Sequence, residues 1–287
     1  MIPALCGLLA AISWGSADFI GGLASRAVGH RSVLLAMLSV GVLGLGAILW
    51  LAGLPVVWHV RGLWLILISG VGVMAATLWL YQALARGPFT VAAPIVGIYP
   101  AFNVAFAVAL GARPSPIAWA AMAAVLGGVV LVARSAKAIT DPAAYPLPHL
   151  RRTILISLAA AMGFSITIAA AQEAALIYGE LQTIWLGRCV GVLACAAMFL
   201  VLRQRPRLPV RWWPYLVAQG ALDCGAYVAL LAGSDGPRAT IAVVIASAFG
   251  AVTILLARVF LRETMNRAQW LGIAAIIAGV MVLSSGR

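Results

Sequence analysis

Three charged side chains lie where the surrounding sequence is hydrocarbon. Arg188 sits in IWLGRCVGVL, Asp223 in AQGALDCGAY and Asp18 in ISWGSADFIGG. A charge at the centre of a bilayer costs about 2.5–3.5 kcal/mol on insertion scales, so each needs a partner, water or a function. Gln219, Asp223 and Tyr227 follow at i, i+4 and i+8, which places them on one helix face. That stripe could pair with Arg188, receive a substrate ammonium or exchange a proton; an interhelical hydrogen-bond staple is the plainer alternative. Arg188 could grip a carboxylate in a bidentate fork, with Trp185 one turn back as a stacking surface. It could equally form a structural ion pair or reach for the outer interface. Asp18 follows Trp14 by four residues and lies toward Arg26 and Arg31, which could neutralise it. Coupling or gating is its functional alternative.

Trp14, Trp79, Tyr81, Tyr99, Phe164, Trp185, Tyr227 and Phe249 lie deep in apolar runs. Gln82 adjoins the face shared by Thr77 and Tyr81, and Asn103 stands one turn beyond Tyr99 and Pro100. Converging, they would wall a small-molecule pocket with aromatic rings and a few polar groups; otherwise they are packing. Trp50, Trp58, Trp64, Trp119, Trp212, Trp213 and Trp270 fall near run ends, where an interfacial belt is expected. Glu173, Glu180 and Glu263 also read as interfacial. Hydrolytic chemistry has no visible candidates, since no GxSxG, HExxH or paired acidic motif occurs. His30, His59 and His149 are too scattered to hold a metal, and Cys6, Cys189, Cys195 and Cys224 read as small packing residues. Gly41–Gly46 lacks the strand and Lys-Ser/Thr of a phosphate loop. No cofactor is expected.

The elements that carry these residues follow from composition. The 287-residue chain is 64% hydrophobic and 9% charged, with a mean hydropathy of +1.08. Soluble domains average about 45–50% apolar and about 25% charged residues. A cytosolic enzyme, a secreted disulfide scaffold and a disordered tail are therefore excluded, and the lipid bilayer is the solvent. Ten apolar runs fall near 2–25, 32–53, 62–85, 89–110, 115–133, 153–173, 181–202, 212–233, 239–261 and 267–285. Each approaches the roughly 20 residues a spanning helix needs. Pro94 and Pro100 predict a kinked or irregular fourth span, suited to a gate. The first run lacks a basic leader and reads as a membrane helix.

Fourteen Lys and Arg residues fall in the loops after the odd-numbered spans, four on the opposite side, and Arg188 inside a span. That bias predicts both termini outside the cytoplasm. It also accounts for the net charge of +12 without nucleic acid.

The halves echo each other at a lag near 150 residues. LLAAISWGS answers SLAAAMGFS, Gly70 answers Gly220, Gly87–Pro88 answers Gly236–Pro237, and WAAMAAVLGGVVLV answers WLGIAAIIAGVMVL. The chain divides into a first five-helix repeat (1–134), a basic cytoplasmic linker (135–152) and a second repeat (153–287). Five spans is odd, so the second copy enters the membrane inverted, an arrangement transporters use to expose one central site to either side in turn.

On these features the chain resembles the drug/metabolite transporter superfamily, in its ten-helix EamA-type branch. They are the WG of the first helix, the Gly-Pro opening the fourth and its later Pro, the Arg early in the seventh, LRET before the last, and the closing GIAAIIAGVMVL. Within the branch it is most similar to bacterial aromatic amino-acid exporters. The resemblance implies an all-α, monomer-sized basket in a bacterial inner membrane that moves small organic metabolites, often amino acids and often outward. Two departures stand. Gly111–Pro116 lacks the acidic residue that Glu263 supplies in the second half, and many relatives keep their termini in the cytoplasm.

The combined expectation is a secondary carrier of ten helices, two inverted repeats around a central cavity. Aromatic residues would hold an apolar body while Arg188 and Asp223 read carboxylate and ammonium. Proton coupling through Asp18 or Asp223 and simple facilitated diffusion both fit. A carrier of drugs or organic anions, a channel and an intramembrane enzyme are the alternatives.

Overall fold

Backbone N–H and C=O groups in lipid must be satisfied internally, so long apolar runs close their hydrogen bonds as helices. The computed structural model describes residues 2–54, 59–109, 111, 113–139, 146–233 and 239–285, and among them all regular structure is helical. The helices are α1 (Ile2–Val28), α2 (His30–Leu51), α3 (Leu63–Arg86), α4 (Phe89–Val96), α5 (Tyr99–Ala109) and α6 (Pro116–Ile139). Then come α7 (Leu147–Tyr178), α8 (Glu180–Val201), α9 (Trp213–Gly233), α10 (Ala239–Ala246), α11 (Phe249–Phe260) and α12 (Arg267–Ser284). They make ten spans long and apolar enough to cross a membrane, with α4–α5 and α10–α11 each forming one. Trp58, Gly236–Pro237, Arg238, Arg287 and residues 140–145 of the expected linker lie outside the described residues. The rest of that linker is largely helical: α6 runs on to Ile139, and α7 starts at Leu147 behind the N-cap Pro146.

The fourth span breaks at Gly97–Ile98, as its prolines predict. Pro94 has no N–H to offer the carbonyl of Thr90 four residues back. Gln269 Nε2 on α12 donates to that carbonyl instead, at 3.4 Å. The ninth span breaks at the corresponding place, Ser247–Ala248, without a proline. There the Ser247 hydroxyl donates to the carbonyl of Val244 at 2.6 Å.

The packing repeats as well. α1 lies against α9, α3 against α7, α2 against α8, and α6 against α12. Exchanging every helix for its counterpart 150 residues away turns the first pair into the second and leaves the other two unchanged. Small residues allow such close approach. A Cβ on Gly128 would lie 2.6 Å from the Gly272 carbonyl oxygen, and one on Gly272 would lie 2.9 Å from that of Gly128. The left-handed turns before α2 and α8 match too, at Gly29 (φ 92°) and Gly179 (φ 78°), where a glycine avoids the Cβ penalty. This is the two-repeat helical fold.

The arginine-bearing loops gather at one end. Arg31 Nη1 donates to Gln204 Oε1 at 2.6 Å, and the Arg207 amide donates to Ser32 Oγ at 2.9 Å. Arg86 Nη2 lies 3.2 Å from His149 Nδ1. At the other end the Tyr178 hydroxyl donates to the carbonyl of His59.

Candidate functional site

Midway along the bundle the helices α1, α3, α8 and α9 bring polar side chains together. Arg188 is 2% exposed and Asp223 8%, and Arg188 Nη2 donates to Asp223 Oδ2 at 2.5 Å. The i, i+4, i+8 stripe of α9 therefore faces inward. Arg188 Nη1 donates to Met37 Sδ on α2 at 2.9 Å. The guanidinium carbon stands 5.4 Å from the Tyr227 ring centroid, so the cation is held by the same helix that supplies its counter-ion. Gly41 makes room for it, since a Cβ there would lie 3.4 Å from Arg188 Cδ.

Trp14 on α1 hydrogen-bonds the Asp223 carboxylate. Its ring meets Tyr227 edge-on at 5.1 Å and Phe249 at 6.3 Å, the edge-to-face geometry aromatic quadrupoles favour. One helical turn of α9 away, the fully buried Gln219 donates through Nε2 to the Tyr81 hydroxyl. Gln219 Oε1 is buried without a partner. Turning the amide over would leave its N–H₂ unpaired instead, so the site keeps one unused polar group in either setting. The result is a buried ion pair with an aromatic wall on one side and an amide–phenol pair on the other.

Asp18 joins this cluster. Trp14, Asp18 and Gly21 lie within about 60° of arc on α1. Gly21 packs so closely that a Cβ would stand 2.8 Å from Gln219 Nε2 and 2.9 Å from a Tyr81 ring carbon. With Trp14 beside Tyr227 and Gly21 beside Gln219, Asp18 falls opposite Asp223, within electrostatic range of Asp223 and Tyr81. Neither arginine expected to neutralise it does so. Arg26 donates to the carbonyl of Leu84 at 3.3 Å and covers the Phe89 ring, and Arg31 is engaged with Gln204.

The structure thus brings together Trp14, Asp18, Tyr81, Arg188, Gln219, Asp223 and Tyr227. Tyr99 is half-buried within electrostatic range of Tyr227. Trp185 is not a platform for Arg188. Its indole donates to the carbonyl of Val42 at 3.1 Å and fits over Gly46, so it locks α8 to α2, and Tyr227 takes the place of the expected stacking ring. Trp79 is 37% exposed and packs at Gly163 of α7. Asn103 Oδ1 accepts from Ser165 Oγ, Phe164 packs on the main core, and Gln82 is half-buried on α3. Pro94 lines a small crevice with Ala93, Gly97, Ser247 and Gly250, where the two broken spans face each other. Pro100 is buried in the first turn of α5.

The contact of Met37 with Arg188 and the partners of Glu263 were not anticipated. A thioether in an apolar run carries no signal. Glu263 does not sit free at the interface: its Oε1 and Oε2 accept from the amides of Phe89 and Thr90, each at 2.9 Å. It neutralises the first turn of α4 across 174 residues of chain.

No curated protein matches this sequence. Seventeen chains of solved structures do. One, titled only as the crystal structure of a protein, aligns with a TM-score of 0.64 at 22% identity, covering 98% of this chain and 95% of its own. At that identity the likeness establishes fold. The model of the EamA-like transporter family matches twice, over residues 1–134 and 151–285. Matched over nearly its whole length, the chain belongs to the EamA-like transporter family, membrane transporters of the drug/metabolite type.

Proposed function

We propose that this protein is a secondary carrier that exports small amphipathic metabolites bearing an amino group, aromatic and apolar amino acids first among them, by alternating access. One observation carries the reading: a buried ion pair, Arg188–Asp223, abuts the aromatic group Trp14, Tyr227 and Phe249 midway along the bundle. Lipid-facing helices have no use for such a cluster, whereas a site that strips water from a charged, ring-bearing solute needs both halves of it. Two topologically opposed copies supply the means of exposing the site to each side in turn, and the breaks in α4–α5 and α10–α11 supply the moving parts.

The test is counterflow in proteoliposomes preloaded with unlabelled L-phenylalanine. Labelled L-phenylalanine should accumulate transiently above equilibrium; a channel would show no overshoot. Equilibration without overshoot, or no movement at all, overturns the carrier reading.

The charge bias further assigns the arginine-rich end to the cytoplasm, with both termini on the other side of a bacterial inner membrane. Single cysteines replacing Gln204 and Glu180 check this in intact cells. An impermeant maleimide should label the Glu180 position alone, and labelling of the Gln204 position alone would reverse the assignment.

A further inference from the structure

The loop between α8 and α9, residues 203–212, reads RQRPRLPVRW and carries four arginines. No acidic residue occurs between Glu180 and Asp223, so the loop brings no counter-ion of its own. Arg203, Arg205, Arg207 and Arg211 are all exposed, and among the described residues none of their guanidiniums has a hydrogen-bond or ion-pair partner. Glu263, at the same end of the bundle, is taken up by the amides of Phe89 and Thr90. The loop is nevertheless firmly held. Arg31 Nη1 donates to Gln204 Oε1 and the Arg207 amide donates to Ser32 Oγ, which fastens it to the first turn of α2. Pro206 and Pro209 fix two of its backbone angles.

Arg203 occupies a turn that suits a glycine. Its φ is 51°, and at the same turn 150 residues earlier stands Gly53 with φ 62°. The two turns are bonded alike: the Gln204 amide donates to the Phe199 carbonyl as that of Leu54 does to Leu49, and Arg203 donates to Leu200 as Gly53 does to Trp50. Glycine escapes the Cβ penalty of this conformation and arginine does not. Among the described residues the other non-glycine with positive φ is also an arginine, Arg262 (φ 54°), and its counterpart is again a glycine, Gly111 (φ 97°). Both arginines follow helices that finish at the arginine-rich end, and both glycines follow helices that finish at the opposite end. The fold needs the turn at both ends, but at one end it carries a charge against a backbone penalty. A side chain kept under strain, with no partner inside the protein, points to a partner outside it.

We infer that the loop between α8 and α9 is a headgroup site for an anionic phospholipid, with Arg203, Arg205 and Arg207 meeting the phosphate. The neighbouring side chains select a lipid over a free anion. Val210 is 82% exposed and Trp213 and Tyr215 are each 55% exposed. The Trp213 indole donates to the Leu208 carbonyl at 3.1 Å, and the Trp212 and Tyr215 rings stand 5.3 Å apart. Such rings set the loop at the level of the headgroups. A phosphodiester with acyl chains places its charge among the guanidiniums and its hydrocarbon beside these exposed apolar groups. The loop joins the two helices that carry Arg188 and Asp223, so a lipid bound there holds that hairpin together and stabilises the folded chain.

Native mass spectrometry of the full chain in a neutral detergent, titrated with phosphatidylglycerol or phosphatidylcholine of identical acyl chains, tests the inference. Phosphatidylglycerol should bind in preference and raise the thermal midpoint, and phosphatidylcholine should do neither. A basic residue near an anionic surface is worth about fivefold in affinity. The variant Arg203→Gln/Arg205→Gln/Arg207→Gln should therefore bind phosphatidylglycerol roughly a hundredfold more weakly. Arg134→Gln/Arg151→Gln/Arg152→Gln, which removes the same charge elsewhere at the same end, should change binding by less than about fivefold. Arg203→Gly guards against misfolding, because it installs the residue that the first half uses at this turn. Its midpoint in detergent alone should equal or exceed that of the wild type, while its affinity for phosphatidylglycerol falls about fivefold. Equal binding of the two lipids or equal losses in the two triple variants would overturn the assignment. So would an Arg203→Gly protein that binds like the wild type or unfolds earlier in detergent, or displacement of the lipid by equimolar inorganic phosphate.

Discussion

Arg188→Met should destabilise the protein by about 3–5 kcal/mol, while Asp223→Leu should cost less, about 1–3 kcal/mol. The asymmetry follows from counting charges. Removing the guanidinium strands the Asp223 carboxylate beside a second acid, Asp18, with no cation among them. Removing Asp223 leaves Asp18 opposite the vacated position, where it can become the counter-ion of Arg188. The double variant Arg188→Met/Asp223→Leu replaces the pair with apolar side chains of similar bulk and should return to within about 2 kcal/mol of wild type, since a buried ion pair recovers little more than its own desolvation. Thermal unfolding in detergent gives the stability ranking, and counterflow gives the functional one. All three variants should lose transport, the double variant included. Stability restored without transport would separate the cluster's binding role from its packing role. A fully active double variant would show that the pair serves packing alone.

That asymmetry could not have been drawn from the sequence, although much else could. Ten apolar runs and the arginine loops announced the helical bundle because lipid leaves the backbone few alternatives. Pro94 and Pro100 announced the break in the fourth span, since each removes a donor. The matching break at Ser247–Ala248 has no proline and was legible only through the repeat. Arg188 and Asp223 were identifiable because an unpaired charge is expensive in hydrocarbon; which alternative they adopt was a tertiary matter. The arginines expected beside Asp18 lie elsewhere for a geometric reason. α1 stays helical to Val28, so Arg26 stands two turns away along the axis, about 12 Å at 1.5 Å per residue. Nearness in sequence did not bring the charges together. Trp185 is placed by tertiary contacts too: its i−3 spacing from Arg188 is real, yet its indole N–H is turned onto the Val42 carbonyl. Contacts between halves, such as Glu263 with Phe89 and Thr90, have no local signature at all.

Glu263→Ala should lower stability by about 2–3 kcal/mol, because two amides at the buried start of α4 lose a shared carboxylate. Glu263→Gln, which keeps one acceptor oxygen but no charge, should cost about 1 kcal/mol. The effect should be local before it is global. All eight residues of α4 are buried, and the helix is tied by Glu263 at its first amides and by Gln269 at the Thr90 carbonyl that Pro94 leaves free. Both ties come from the segment that leads into and opens α12. At the corresponding position of the first half, Arg113 is exposed in place of a glutamate, so the two broken spans are not secured alike. Amide exchange should therefore quicken at Phe89 and Thr90 in Glu263→Ala while Ala242 and Ala246 of α10 keep their protection. Uniform acceleration across both spans would mean that Glu263 stabilises the bundle as a whole rather than fastening α4. A carrier must open at each end in turn, and the end that carries this carboxylate clamp has the larger local cost to overcome. Loosening it should shift the resting population toward opening at the arginine-rich end, read as faster cysteine labelling at Thr90 in a Glu263→Ala background than in a wild-type one.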